Sequence, residues 1–100
     1  LEVAKLLLYQ LPCMLDKGIV PNYQSSMEKI FISELSQHIA RIGMEVMGMD
    51  GQLIDGSKYA PFDGDVPYYY RLSVIETIYG GTNEIQRNII ALRGLGLPRG

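Results

Sequence analysis

Apolar side chains return at steps of three and four along the middle of the chain, at Met27, Ile30, Phe31, Leu35, Ile39, Ile42 and Val46. A single period held for about five turns specifies a long amphipathic helix, because a strand would alternate at every second residue. The same step appears earlier in Ala4, Leu7, Leu8, Leu11, Met14 and Leu15. It appears later in Tyr70, Val74, Ile75 and Ile78, and again in Ile85, Ile89 and Leu92. There is no strand pattern, internal repeat or low-complexity segment, so the expected fold class is all-α, an antiparallel helical bundle.

The punctuation between these stretches is equally specific. Lys17-Gly18 gives the first helix a basic last turn and a glycine stop, and Pro12 inside it predicts a kink. Ser25-Ser26-Met27-Glu28 has the spacing of a capping box for the second helix, while Asn22 is the alternative, earlier cap. Gly43 is its weak point and Gly48 its stop. Residues 49–67, with Gly51, Gly56, Pro61, Gly64 and Pro67, read as one long loop, a type of segment often used for function. Asp65-Val66-Pro67 opens a third helix that breaks at Gly80-Gly81. Thr82 or Asn83 caps a fourth, which Gly94, Gly96 and Pro98 end.

Composition narrows the function classes. With 100 residues and 47% apolar content, one modest core is possible. Nine Lys and Arg against eleven Asp and Glu leave no basic stripe for a phosphate backbone, so nucleic acid is not an expected partner. Cys13 stands alone, which excludes an internal disulfide and a multi-cysteine metal site and fits a reducing compartment. The most apolar stretch, residues 6–15, is interrupted by Tyr9, Gln10 and Pro12 and is too short to span a bilayer, so a soluble protein is expected. His38 has no Asp or Cys at ligand or catalytic spacing, and no metal is expected. The chain begins at Leu1 in helical composition, with neither an initiator Met nor a cap, and is expected to be a piece of a longer protein.

The segment richest in chemistry is Tyr79-Gly80-Gly81-Thr82-Asn83-Glu84-Ile85-Gln86-Arg87-Asn88. Two glycines let the chain turn sharply into a helix start, where free backbone N–H groups can hold an anion or a carbonyl oxygen. The spacing alone is equally that of a plain glycine break capped by Thr82. Adjacent Tyr68, Tyr69 and Tyr70 point in three directions on a helix and read as packing residues rather than an acyl pocket.

Residues 78–91 also resemble the C-terminal signature of acyl-CoA dehydrogenases, Ile-Tyr-Glu-Gly-Thr followed by Ile-Gln-Arg. Ser26-Met27-Glu28-Lys29-Ile30-Phe31-Ile32-Ser33-Glu34 resembles that family's Ser-Met-x-Lys-x-Phe-x-Ser-Glu helix start, and Tyr70-Arg71 its Tyr-Arg pair. The resemblance covers nearly the whole chain. It implies most of the helical C-terminal domain, residues 1–100, with the N-terminal helical and middle β domains absent. It also implies FAD, an acyl-CoA substrate dehydrogenated to a trans-2-enoyl-CoA, an electron-transferring flavoprotein as acceptor, and a homotetramer or heterotetramer built on these helices. The ending Leu95-Gly96-Leu97-Pro98-Arg99 favours the bacterial cytoplasm over the mitochondrial matrix as the expected location.

In the family, a glutamate after the Tyr removes the α-proton while the β-hydrogen leaves as hydride to the flavin. The matching residue here is Gly80, which has no titratable group. What the resemblance leaves to Gly80 is its backbone N–H, donated to the thioester oxygen, with Tyr79 and Gly81 adjoining the substrate. Three sources of a base stay open. It lies on a helix preceding this chain, as in the isovaleryl and long-chain branches; or the chain is a base-less partner in a heteromeric dehydrogenase, as for some bacterial steroid side-chain enzymes, or an oligomerisation scaffold; or Glu76, one turn before Gly80, serves. For the flavin, Thr82, Asn83 and Glu84 align with contacting positions. The family's Gln-x-x-Gly-Gly-x-Gly loop aligns with residues 45–51, where Glu45 stands for Gln, Gly48 is kept and Met49 replaces a Gly. A carboxylate cannot donate unless protonated, and Met crowds a backbone approach. A related flavoenzyme such as an acyl-CoA oxidase is compatible with the same segment.

Overall fold

The computed structural model describes residues 1–99, and every regular element among them is helical. There are four α-helices, α1 (Glu2–Asp16), α2 (Tyr23–Met47), α3 (Asp65–Glu76) and α4 (Asn83–Ile89); between α2 and α3 lie a short 3-10 helix, Gly48–Gln52, and a turn, Pro61–Gly64, in which Phe62 (φ 50°) and Asp63 (φ 53°) are left-handed. A π-helical turn, Ile90–Gly94, follows α4. The described residues fall into two compact units, one of residues 1–32 with 80 onward and one of residues 33–79.

In the first unit, α1 presents part of the expected face: Ala4, Leu7, Leu11 and Met14 are half-buried, whereas Leu8 and Leu15 are exposed. It continues through Pro12 as one helix. Its end is set by Gly18, whose φ of 70° lets the Gly18 and Ile19 N–H groups close onto the Leu15 and Met14 carbonyls, each at 2.9 Å. The capping box at residues 25–28 does not form: α2 starts at Tyr23, and Ser26 is buried at 3% exposure inside it. The Gln24 side chain instead accepts the Asn22 N–H at 3.1 Å. The first part of α2 runs antiparallel to the last helical segment. Lys29 Nζ donates to Asn83 Oδ1 at 2.7 Å, and Arg93 Nη1 donates to Asn22 Oδ1 at 3.0 Å. Gly94 meets the Tyr23 ring so closely that an added Cβ would lie 3.0 Å from Cγ. The π turn brings this about, because Leu95 N–H reaches back five residues to the Ile90 carbonyl.

The second unit pairs the rest of α2 antiparallel with α3. Gln37 Nε2 donates to the Ser73 carbonyl at 3.3 Å and to Thr77 Oγ1 at 3.4 Å, while Gly43 faces Val66. Gly43 makes this approach possible, with Ser33 and Ala40 along the same side of α2, and buried Ser73 turns its hydroxyl to the Tyr70 carbonyl. Helix α3 stops at Glu76, four residues before the expected break at Gly80.

The apolar stripes expected from periodicity exist but are only partly covered. Met27, Phe31, Ile39, Ile42 and Val46 of α2 are exposed, as are Tyr70, Val74 and Ile75 of α3. Among the described residues no apolar side chain of the core type is fully buried, and the buried polar ones are Ser26, Ser33, Ser73 and Asn83. The fully buried contacts are therefore small and polar, while the apolar stripes are in part half-buried, at Ile30, Leu35, Ile89 and Leu92, and in part surface.

Gly64 and Gly56 share almost the same φ, 84° and 85°, but a Cβ on Gly64 would strike the backbone of Ile54 and Asp55 whereas Gly56 faces open space. Gly56→Ala should therefore cost about 1 kcal/mol and Gly64→Ala at least about 2 kcal/mol more, measured by denaturant unfolding.

Candidate functional site

The turn between α3 and α4 is built from two residues that only glycine suits. Gly80 has φ 66° and Gly81 φ 90°, both in the left-handed region. Thr82 ends the turn as the N-cap of α4, its Oγ1 accepting the Ile85 N–H at 3.3 Å. Gln86, one turn into α4, sends its carboxamide back and donates from Nε2 to the Gly80 carbonyl at 2.9 Å. That side chain crosses Gly81 so closely that a Cβ there would lie 2.8 Å from Nε2. The Gly80 N–H has no acceptor among the described residues, and the space where a Gly80 Cβ would sit is open.

Next to the turn, Asn83 is buried at 4% exposure with Lys29 Nζ on its Oδ1, so this carboxamide is engaged within the unit. Glu84 is exposed, and its carboxyl is held below the usual carboxylate range. The causes, in order, are its own backbone N–H and the Thr82 hydroxyl, then an opposing desolvation, then the charges of Arg87 and Lys29. The Thr82 hydroxyl thus caps α4 and also favours the ionised form of Glu84.

The other sequence-derived candidates belong to the second unit. Glu76 is half-buried and lines a groove of about 440 Å³ between α2 and α3, with Ser36, Ile39, Ala40 and Val66. Tyr79 is 59% exposed, and Glu45 and Gly48 are exposed at the end of α2, where Gly48 has φ 57° and open space above it. Tyr68, Tyr69 and Tyr70 do point three ways, since each lines a different depression, and the first two rings meet edge to face at 5.4 Å. His38 is an exposed residue of α2, and Cys13 is exposed on α1. No helix is long and apolar enough to cross a membrane, and among the described residues no group of three or more His, Cys, Asp or Glu is placed to hold a metal.

Two residues of this site escape a reading by residue type, Gln86 and Lys29. Gln86 is legible only as the position one helical turn after the Thr82 cap, and Lys29 only through its partner 54 residues away.

Residues 1–95 match the family model for the acyl-CoA dehydrogenase C-terminal domain. The chain belongs to that family. Among curated relatives it is 40% identical over 76 residues to acyl-CoA dehydrogenase IpdE1 of Mycolicibacterium smegmatis, covering 76% of this chain and 18% of the relative. It is 43% identical over 75 residues to acyl-CoA dehydrogenase FadE26 of Mycobacterium tuberculosis, covering 75% and 19%. Among solved structures, the ChsE4-ChsE5 complex of Mycobacterium tuberculosis superposes with a TM-score of 0.87 at 37% identity, over 99% of this chain and 26% of that one. The Tcur3481-Tcur3483 steroid ACAD superposes with a TM-score of 0.91 over 99% and 26%, at an identity of 24% that speaks to fold alone. The chain spans about a fifth of the length of the curated relatives it matches.

For an acyl-CoA dehydrogenase domain, the donor set at the start of α4 fits the hydroxyl-bearing part of a flavin dinucleotide better than its phosphates. Glu84 is held toward its ionised form and then accepts only, so a ribityl or ribose hydroxyl can donate here while a phosphate would be repelled. Thr82 and Glu84 would hold such a group.

Glu84's lowered value means that its contribution to stability is present above the ordinary carboxylate pKa and is lost as pH falls through the lowered folded value. Thr82→Ala should raise the Glu84 carboxyl toward the ordinary value without reaching it, because the backbone N–H remains. It should also cost about 1 kcal/mol of stability, both read from a carbon-13 NMR titration and a denaturant melt.

Proposed function

We propose that this chain is most of the helical C-terminal domain of an FAD-dependent acyl-CoA dehydrogenase, and that the complete protein oxidises the α,β bond of an acyl-CoA thioester to a trans-2-enoyl-CoA. The observation that carries this reading is the Gly80 N–H, a donor without an intramolecular acceptor among the described residues, set in a left-handed turn within the matched family segment. A thioester oxygen accepting from it would gain charge as the α-proton leaves, and a donor already in place stabilises that charge. The α-proton passes to a carboxylate, and the β-hydrogen leaves with its electron pair. A bound flavin supplies the hydride acceptor.

Gly80 orients the carbonyl but takes no proton. We assign the base to a helix preceding this chain in the complete protein, with Glu76, which lines the α2–α3 groove, as the alternative that its Gln variant tests. A second reading, a base-less subunit working beside a partner, is supported by the 37% identity to a structure that is a two-protein complex. The exposed stripes on α1, α2 and α3 support assembly into a homotetramer or heterotetramer under either reading. Electrons then leave to an electron-transferring flavoprotein, and the mycobacterial relatives support a bacterial cytoplasmic setting.

Anaerobic bleaching of the flavin by a panel of acyl-CoAs, with the full-length protein purified alone, tests this. Bleaching should occur and stay within about twofold in Glu76→Gln. An intact flavin that no acyl-CoA bleaches would overturn the first reading in favour of the second. Gly80→Glu then separates them further: the open space admits the side chain at a backbone cost of about 1 kcal/mol, and a base-less subunit should gain bleaching while a self-sufficient enzyme should not.

A further inference from the structure

Two consecutive left-handed glycines leave the backbone many other states, so something outside them must hold this turn in one. The Thr82 cap fixes only its exit. The remaining restraint is Gln86, whose Nε2 donates to the Gly80 carbonyl at 2.9 Å and whose carboxamide fills the place a Gly81 side chain would take. Pinning the Gly80 carbonyl fixes the peptide plane after Gly80. With Gly80 confined to its left-handed well, the direction of its own N–H follows.

We infer that Gln86 is a positioning residue: by clamping the Gly80 carbonyl it aims the Gly80 N–H at the thioester oxygen. This rests on the proposed reading, in which that N–H meets the substrate. Gln86 touches neither substrate nor reacting atoms and acts only through the turn. Its carboxamide suits the task because it is a neutral donor at the end of a side chain long enough to reach back over Gly81. A donor misaimed by a fraction of an ångström loses much of its hold on a developing oxyanion.

The test is the carbonyl stretch of an acyl-CoA labelled with carbon-13 at the thioester carbon, bound to the full-length flavoprotein and read by infrared difference spectroscopy. It needs no turnover, so it is independent of where the base lies. In the native protein the band should lie below that of the free thioester. In Gln86→Met at least half of that downshift should be lost at every pH, with bound FAD and the melting temperature confirming the fold. In the isosteric Gln86→Glu the downshift should be lost at neutral pH and return as the new carboxyl protonates and can again donate, a recovery that a merely structural role would not give. A native downshift that survives intact in both variants overturns the positioning role and leaves the reading of the domain standing. A native protein that binds the acyl-CoA without any downshift overturns that reading and the inference with it.

Discussion

A chain that leaves one helix and starts another within six residues must reverse where a side chain would obstruct it, and Gly80 and Gly81 do this at φ 66° and 90°. The local architecture of the first unit follows from that turn. It delivers Thr82 to the cap position, puts Asn83 at the buried first residue of α4 under Lys29, and leaves Glu84 exposed beside the Thr82 hydroxyl. Because α4 is only seven residues long, its propensity alone would not hold it. The cap, the Gln86 clamp and the Lys29–Asn83 bond stand in for the missing turns.

Polar and small residues do the joining elsewhere too. Gly43 lets α3 approach α2 at Val66, Gln37 bonds the Ser73 carbonyl and Thr77, and Gly94 admits the Tyr23 ring. Contacts of this kind fix register more than they add stability, since a hydrogen bond nets only about 1 kcal/mol. The large apolar side chains that could add more are half-buried or on the surface. That division of labour suits a domain whose apolar stripes are covered by the rest of a larger assembly, in keeping with the small share of its relatives that the chain spans.

Helical class, element order and part of the α1 face were legible in the sequence, because a period of 3.6 and glycine stops are local signals. What was not legible depends on partners distant in the chain. Ser25-Ser26-Met27-Glu28 has the right spacing for a cap, yet Ser26 lies inside α2, which opens earlier at Tyr23 beside the Gln24 bond to Asn22. The stripe of Met27, Phe31 and Ile39 has the period of a core face but is not the most buried one, because periodicity marks a face without naming what meets it. The π turn at Ile90–Gly94 has no signature in residue type, and only the closeness of Gly94 to Tyr23 gives it a reason. In the site, the Gly80-Gly81 turn and its Thr82 cap were readable from order alone, whereas the Gln86 contact required the fold.

The glycine at position 80 also bears on how such a site can change. A proton acceptor must be a side chain, but a donor to a developing oxyanion can be backbone, so replacing the acid at this position removes one function and leaves the other. At φ 66° the turn uses a conformation that a glutamate would enter only at a cost, so it is a glycine turn in its own right and not an acidic turn lacking its side chain. The Gln86 bond to the carbonyl and the left-handed glycine at position 80 together set, on the proposed reading, the direction of the N–H. On the proposed reading, the thioester can then be oriented in one place and deprotonated from another.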